Sequence, residues 1–187
     1  MVFLDVDGVL ACHRSQVYNA AKDGMQEDSG LIYGHHLCPP KSIGRSPLEE
    51  SCVDNLRWLV SQNPNTRVVL STTWRLQPHL KSFLVDTLSA KGIAVLGQTD
   101  DLFPQSRGAE VRAWLRKHKE EEGGEVVAGY VVLDDDQKHC DACNAELPAG
   151  HVVQTLMGTS SDSNFDPEAG LTVALARLAL ESLNKDD

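Results

Sequence analysis

The 187 residues suit a single domain spanning 1–187 with at most a small insert, long enough to bury a core without disulfide or metal staples. Hydrophobic content of 41% and charged content of 24% are those of an ordinary globular protein, and no apolar run approaches the about 18 residues of a membrane span. A net charge of −10 argues against broad, nonspecific binding to a nucleic-acid backbone, although it is compatible with a local basic pocket.

The chain opens on Val2-Phe3-Leu4, a short apolar run ending at Asp5 that reads as a buried strand. Two acids inside MVFLDVDGVL and no basic lead-in argue against a secretion signal. The expected compartment is therefore the reducing cytoplasm, with the five cysteines as thiols or metal ligands. Residues 11–46 are glycine- and proline-punctuated and lack periodicity, so they read as an irregular insert or minimal cap with one short helix near 15–22. Ser46-Pro47-Leu48-Glu49 has the form of a capping box, with Ser46 as N-cap and Pro47 at the first helical position. Val53, Leu56, Leu59 and Val60 continue it at helical spacing. Arg67–Ser71 is a second buried strand.

A helix is expected over 77–90 on Leu80, Phe83, Leu84, Val85 and Leu88, stopped by Gly92. Ile93–Leu96 follows as a third strand. The next helix runs from 107 to 119 and carries Val111, Trp114 and Leu115, then a charged loop at Glu120–Gly124. Tyr130–Leu133 is a fourth strand and His151–Gln154 a fifth. Met157–Asp166 reads as a loop, and Pro167–Asn184 as a last helix with Leu171, Leu175, Leu178 and Leu180 or Leu183 inward. Strands alternating with helices imply an α/β fold with a central parallel sheet.

Three strand ends carry potential chemistry. The first leaves the sheet at Asp5 with Asp7 beyond, the second at Ser71-Thr72, and the fourth at Asp134-Asp135-Asp136. Open α/β sheets bind ligands at the carboxyl ends of their strands, so the fold would gather these residues along one edge. Crowded carboxylates call for a hard cation, and Mg²⁺ suits an oxygen-only set. A carboxylate can serve as nucleophile, a hydroxyl and a cation can hold phosphoryl oxygens, and Gly8 lets the chain turn sharply beside a phosphate. Each signal has a plainer reading. A lone DxDG occurs in loops and calcium sites, Ser-Thr-Thr after a strand commonly caps a helix, and a triple Asp is commonly a solvated turn.

The run Val2–Leu10 resembles the first motif of the haloacid dehalogenase (HAD) superfamily, Val68–Ser71 its second, and Val131–Asp135 its fourth. Arg107 resembles the third-motif base, where Lys is more usual. Ser71-Thr72-Thr73-Trp74-Arg75, the Arg107…Glu110-Val111…Trp114-Leu115 helix, and Val153-Gln154-Thr155 with Gly170-Leu171-Thr172 are similar to the HAD domain of Swiss Army Knife RNA-repair proteins and to polynucleotide-phosphatase-like relatives. The resemblance implies a HAD-like Rossmannoid three-layer sandwich with a minimal cap. It also implies a Mg²⁺-dependent phosphatase in which Asp5 attacks phosphorus. Asp7 protonates the leaving oxygen, then activates water, and lends its carbonyl to the metal. Asp5 and Asp134, with Asp135 directly or through water, would complete the metal set, and Ser71 and Arg107 would hold the phosphoryl oxygens. Gly8, Thr72 and Arg75 are expected on the substrate side.

Trp74 can stack a base or simply pack, and Arg75 can grip a phosphate or form a structural ion pair. Cys140-x-x-Cys143 is a zinc half-site in form. Cys12, His13, His35, His36, Cys38, His139 and His151 are available to it, but no second clean half-site exists. The expected partner is a phosphorylated substrate, a nucleotide or nucleic-acid end, with no membrane and no obligate protein. The alternatives are a phosphatase of small metabolites or phosphoproteins on the same site, a phosphate-binding module without turnover, and a zinc-stabilised interaction domain.

Overall fold

The computed structural model of the protein describes residues 1–12, 48–121, 127–158 and 168–185. The expected helix near 15–22, nearly all of the 11–46 insert, and Ser46 and Pro47 lie outside these residues. So does most of the loop before Glu168.

Among the described residues, five strands form one parallel sheet: β1 (Val2–Leu4), β2 (Val68–Leu70), β3 (Val95–Gln98), β4 (Val131–Asp134) and β5 (Val152–Gln154). Their order is β3-β2-β1-β4-β5, so β1 lies at the centre with β2 and β4 on either side. Leu4 pairs with Leu70 on one side and Leu133 on the other, which brings the exits of these three strands level. Five α-helices among the described residues connect and cover the sheet: α1 (Glu50–Ser61), α2 (Pro78–Ala90), α3 (Arg107–Glu121), α4 (Gln137–Glu146) and α5 (Val173–Leu183). A 3-10 turn, Thr73–Leu76, follows β2.

Strand side chains alternate between faces, and the two cores follow that alternation. Val2, Leu4, Val68, Leu70, Val131 and Leu133 pack on the face covered by Leu56 and Leu59 of α1, Leu80, Leu84 and Leu88 of α2, and Ala176 and Ala179 of α5. Phe3, Val69 and Val132 pack on the other, under Val111 and Trp114 of α3 and Cys143 of α4. The result is the three-layer α/β sandwich expected from the motifs.

Several elements depart from the expected bounds. The first described helix begins at Glu50 with Glu49 as its N-cap, so Glu49 is not the third residue of a capping box. Leu48 is buried, and the Glu49 N–H donates to the Leu10 carbonyl at 2.7 Å, which ties the helix entrance to the loop after β1. The third strand is Val95–Gln98 instead of 93–96. Ile93 is fully enclosed and its N–H closes the end of α2 on the Leu88 carbonyl at 2.9 Å, while Leu96 lies half-exposed on the edge strand. The apolar run Ile93–Leu96 is thus divided between a plug and an edge. Helix α4 carries almost no apolar periodicity and was not expected; its start is fixed by Asp136, which accepts from the N–H groups of Lys138 and His139 at 2.7 and 3.3 Å. The last helix starts at Val173, capped by the Thr172 hydroxyl, so Leu171 anchors the chain before the helix, and Leu178 faces outward.

Candidate active site

The alternation that builds the cores also builds the site. Phe3, Val69 and Val132 share one face, and two residues further along each strand lie Asp5, Ser71 and Asp134. All three are buried, and all three lie on the face covered by α3, whose first residue is Arg107. Side-chain oxygens of Asp5, Asp134 and Asp135 come within 4.8 Å of one another. Arg107 enters this group with Nη2 3.9 Å from Asp5 Oδ1 and Nε 3.5 Å from Asp134 Oδ2. Its Nη1 donates to the Ser71 carbonyl and to Ser71 Oγ at 3.2 Å.

Gly8 makes the turn after β1 possible. Its φ of +68° is in the left-handed region, and a Cβ there would lie 2.1 Å from Asp135 Cγ. The turn is pinned from both sides. Gly8 N–H donates to the Ala11 carbonyl, the Thr155 hydroxyl donates to the Gly8 carbonyl at 2.8 Å, and Leu171 N–H donates to the Val9 carbonyl at 2.8 Å.

The electrostatics are those of an over-crowded acidic site. Burial, and then the Asp134 charge, raise the Asp5 carboxyl well above the usual range, with Arg107 opposing. Burial, with Asp134 next, pushes Asp135 up to about 6. Asp134 Oδ1 accepts from the Asp136 N–H at 3.0 Å and lies 3.3 Å from His139 Nδ1. Asp134 Oδ2 is buried beside Arg107 Nε and His139 Nδ1 but accepts no hydrogen bond among the described residues. A buried carboxylate oxygen in that position, in an oxygen-only set of three carboxylates, fits a hard divalent cation.

Other expected site residues have different surroundings. Arg75 is buried with its guanidinium donating to the carbonyls of Thr99 (3.0 Å), Thr72 (2.6 Å) and Asp100 (3.2 Å) and paired with Glu110 at 2.9 Å. It makes the structural ion pair weighed for it, which braces α3 against the ends of β2 and β3, and it also lines the cleft beside Arg107. The Thr72 hydroxyl caps the 3-10 turn by accepting from Trp74 N–H at 3.3 Å. Trp74 is buried in the core instead of being displayed as a stacking face, and its indole Nε1–H donates to Asp7 Oδ2 at 3.0 Å. Cys140 and Cys143 lie on the inner side of α4, their thiols pushed up to about 12 by burial and by the Asp134 charge, while His151 stacks on Tyr130. Neither thiol joins a metal-ligating group among the described residues. His13, His35, His36 and Cys38 lie outside those residues.

Beside Arg107 opens a cleft of about 300 Å³, lined in part by Thr73, Leu76, Phe103, Gln105 and His139. Phe103 is 87% exposed at its rim. The sequence offered His139 only as a zinc ligand and Glu110 only as part of the family-like helix, and gave neither a place at this site. Their signal lay in helical register: His139 is in the first turn of α4, three residues beyond its cap, and Glu110 is one turn beyond Arg107.

The family of the HAD domain in Swiss Army Knife RNA repair proteins matches residues 1–160. The chain belongs to this family. The match takes in β1 to β5 and every site residue described above, and it supports a HAD-type phosphohydrolase. No curated protein and no solved structure matches the chain significantly. No helix among the described residues is long and apolar enough to cross a membrane.

Proposed function

We propose that this HAD domain is a Mg²⁺-dependent phosphomonoesterase that works through an aspartyl-phosphate on Asp5 and acts on the phosphate ends of nucleotides or polynucleotides. The observation that carries the reading is the convergence of Asp5, Asp134 and Asp135 within 4.8 Å, with Arg107 and the Ser71 hydroxyl beside them. A Mg²⁺ held by these carboxylates and the Asp7 carbonyl would neutralise charge on the phosphoryl oxygens.

The chain's own groups do the rest. A carboxylate oxygen of Asp5 attacks phosphorus and the bond to the leaving oxygen breaks, with Asp7 giving that oxygen a proton. Water then attacks the aspartyl-phosphate, Asp7 takes its proton, and the bond from phosphorus to Asp5 breaks to release phosphate. Arg107 and Ser71 hold equatorial oxygens throughout. The substrate body would occupy the cleft beside Arg107, where exposed Phe103 offers a planar face suited to a base. The RNA-repair setting of the family favours nucleic-acid ends over small metabolites.

The test is phosphate release with Mg²⁺ and with EDTA from an aryl phosphate and a panel of nucleotides and 3′- and 5′-phosphorylated oligonucleotides. Mg²⁺-dependent release should fall about 10³-fold or more in Asp5→Asn, which keeps the shape but not the nucleophile. Absence of turnover by the parent across the panel would sink the phosphatase reading and favour a phosphate-binding module.

A further inference from the structure

The contact between Trp74 and Asp7 joins two loops that leave neighbouring strands. Leu4 and Leu70 are paired, so Asp7, three residues past one, and Trp74, four past the other, emerge side by side. The Trp74 main chain is fixed on both sides. Arg75 N–H donates to the Thr72 carbonyl at 3.2 Å, Gln77 N–H donates to the Trp74 carbonyl at 3.1 Å, and the Arg75 guanidinium holds Thr72 to the Thr99 strand exit. Trp74 as a whole is 3% exposed within the larger core. A ring held in this way has almost no freedom to turn, so its N–H fixes the plane of the carboxylate it meets.

We propose that Trp74 is a positioning residue for the acid–base step, its indole N–H holding Asp7 Oδ2 and so fixing the orientation of the carboxyl group that transfers the proton. This inference rests on the phosphohydrolase reading above. The chemistry of the indole makes it suited to the task. It is a donor with no acceptor nitrogen, so it cannot compete with Asp7 for the proton, as an imidazole or hydroxyl in its place would. Held in this orientation, Asp7 gives its proton to the leaving oxygen as that bond to phosphorus breaks, and recovers a proton from the attacking water.

A buried indole needs a hydrogen-bond partner in any case, so the test must separate orientation of Asp7 from packing. Two variants serve: Trp74→Phe, and replacement of the Trp74 indole by benzothienylalanine, which puts sulfur where the N–H was and keeps the outline. Each is compared with the parent on dinitrophenyl phosphate, whose leaving phenolate needs no proton, and on a nucleoside monophosphate, whose leaving alkoxide does. With the nucleoside monophosphate, kcat should fall about 10- to 100-fold with KM little changed. With dinitrophenyl phosphate, the first turnover should keep its parent rate and a burst of phenolate should appear, because the aspartyl-phosphate now waits for an oriented base. Equal loss of the first-turnover rate with dinitrophenyl phosphate and of nucleoside phosphate turnover would overturn the assignment and leave Trp74 as packing. So would parent-like kinetics in the benzothienylalanine protein. A parent that turns over neither substrate with Mg²⁺ overturns the phosphohydrolase reading, and this inference with it.

Discussion

Gly8 lies two residues past Asp7's neighbour Val6, where the chain reverses out of the sheet, and two separate constraints meet in it. Its backbone is in a region that side chains strain to adopt, and its missing Cβ is the space taken by the Asp135 carboxylate. Gly8→Ala should therefore lower stability by about 2 kcal/mol or more, read by urea denaturation. It should also weaken Mg²⁺-dependent activity, because Asp135 has to move. A variant with parent stability and parent Mg²⁺ dependence would show that the turn relaxes freely. Such residues were legible in the sequence because their pattern is local: Asp5, Asp7 and Gly8 lie within four positions of one another. Trp74 was legible as a residue worth weighing but not as a partner of Asp7, since 67 positions and a 3-10 turn separate the two. Arg75 was ambiguous for a related reason. A charged residue at a strand exit looks the same in sequence whether it meets ligand or the carbonyls of Thr72, Thr99 and Asp100.

At the scale of elements, α3 is held to the sheet by an ion pair. Arg75 is fixed to the exits of β2 and β3, Glu110 Oε2 takes its Nη2 at 2.9 Å, and the same oxygen lies 3.7 Å from Arg107 Nη1. Glu110 Oε1 also accepts from the Leu102 N–H at 3.3 Å, which secures the cleft's loop. Removing one partner leaves a buried charge, so Glu110→Ala should cost about 3 kcal/mol of stability in denaturant. The pair Arg75→Met with Glu110→Leu should recover much of that, while kcat/KM stays about tenfold or more below the parent because Arg107 has lost its anchor. Full recovery of activity in the pair would make the brace merely structural. The elements themselves were legible to different degrees for physical reasons. Buried central strands announce themselves as apolar runs, and β1, β2 and β4 lie within a residue or so of the expected bounds. An edge strand needs only one buried face, so β3 was misplaced by two residues. Helix α4 covers the sheet with few apolar residues, and only its Asp136 cap could have announced it.

The whole molecule carries a net charge of −10 and concentrates three carboxylates at the carboxyl edge of its sheet. In metal-free protein this arrangement has a definite pH signature. Asp135 is held in the folded state up to about 6, against an ordinary 3.8, and Asp5 is raised as well. Below the ordinary value both the folded and unfolded chains hold these protons and the fold has its full stability. As pH rises from about 4 to about 6 the unfolded chain releases protons that the folded chain still keeps, so metal-free stability falls, and the Asp135 contribution levels off above that window. A divalent cation reverses the balance, because it takes the place of protons the folded site would otherwise retain. Millimolar Mg²⁺ should therefore raise the melting temperature more at about pH 7.5 than at about pH 5, by several degrees more, and the difference should vanish in Asp134→Asn. Scanning fluorimetry in EDTA and in Mg²⁺ at the two pH values reads it directly. Equal shifts at both, or a shift that persists in Asp134→Asn, would place the ion's effect elsewhere on the acidic surface. The reversal is expected because the acid pair and the strand exits that crowd it are part of one sheet: β1 and β4 cannot pair at Leu4 and Leu133 without bringing Asp5 and Asp134 together.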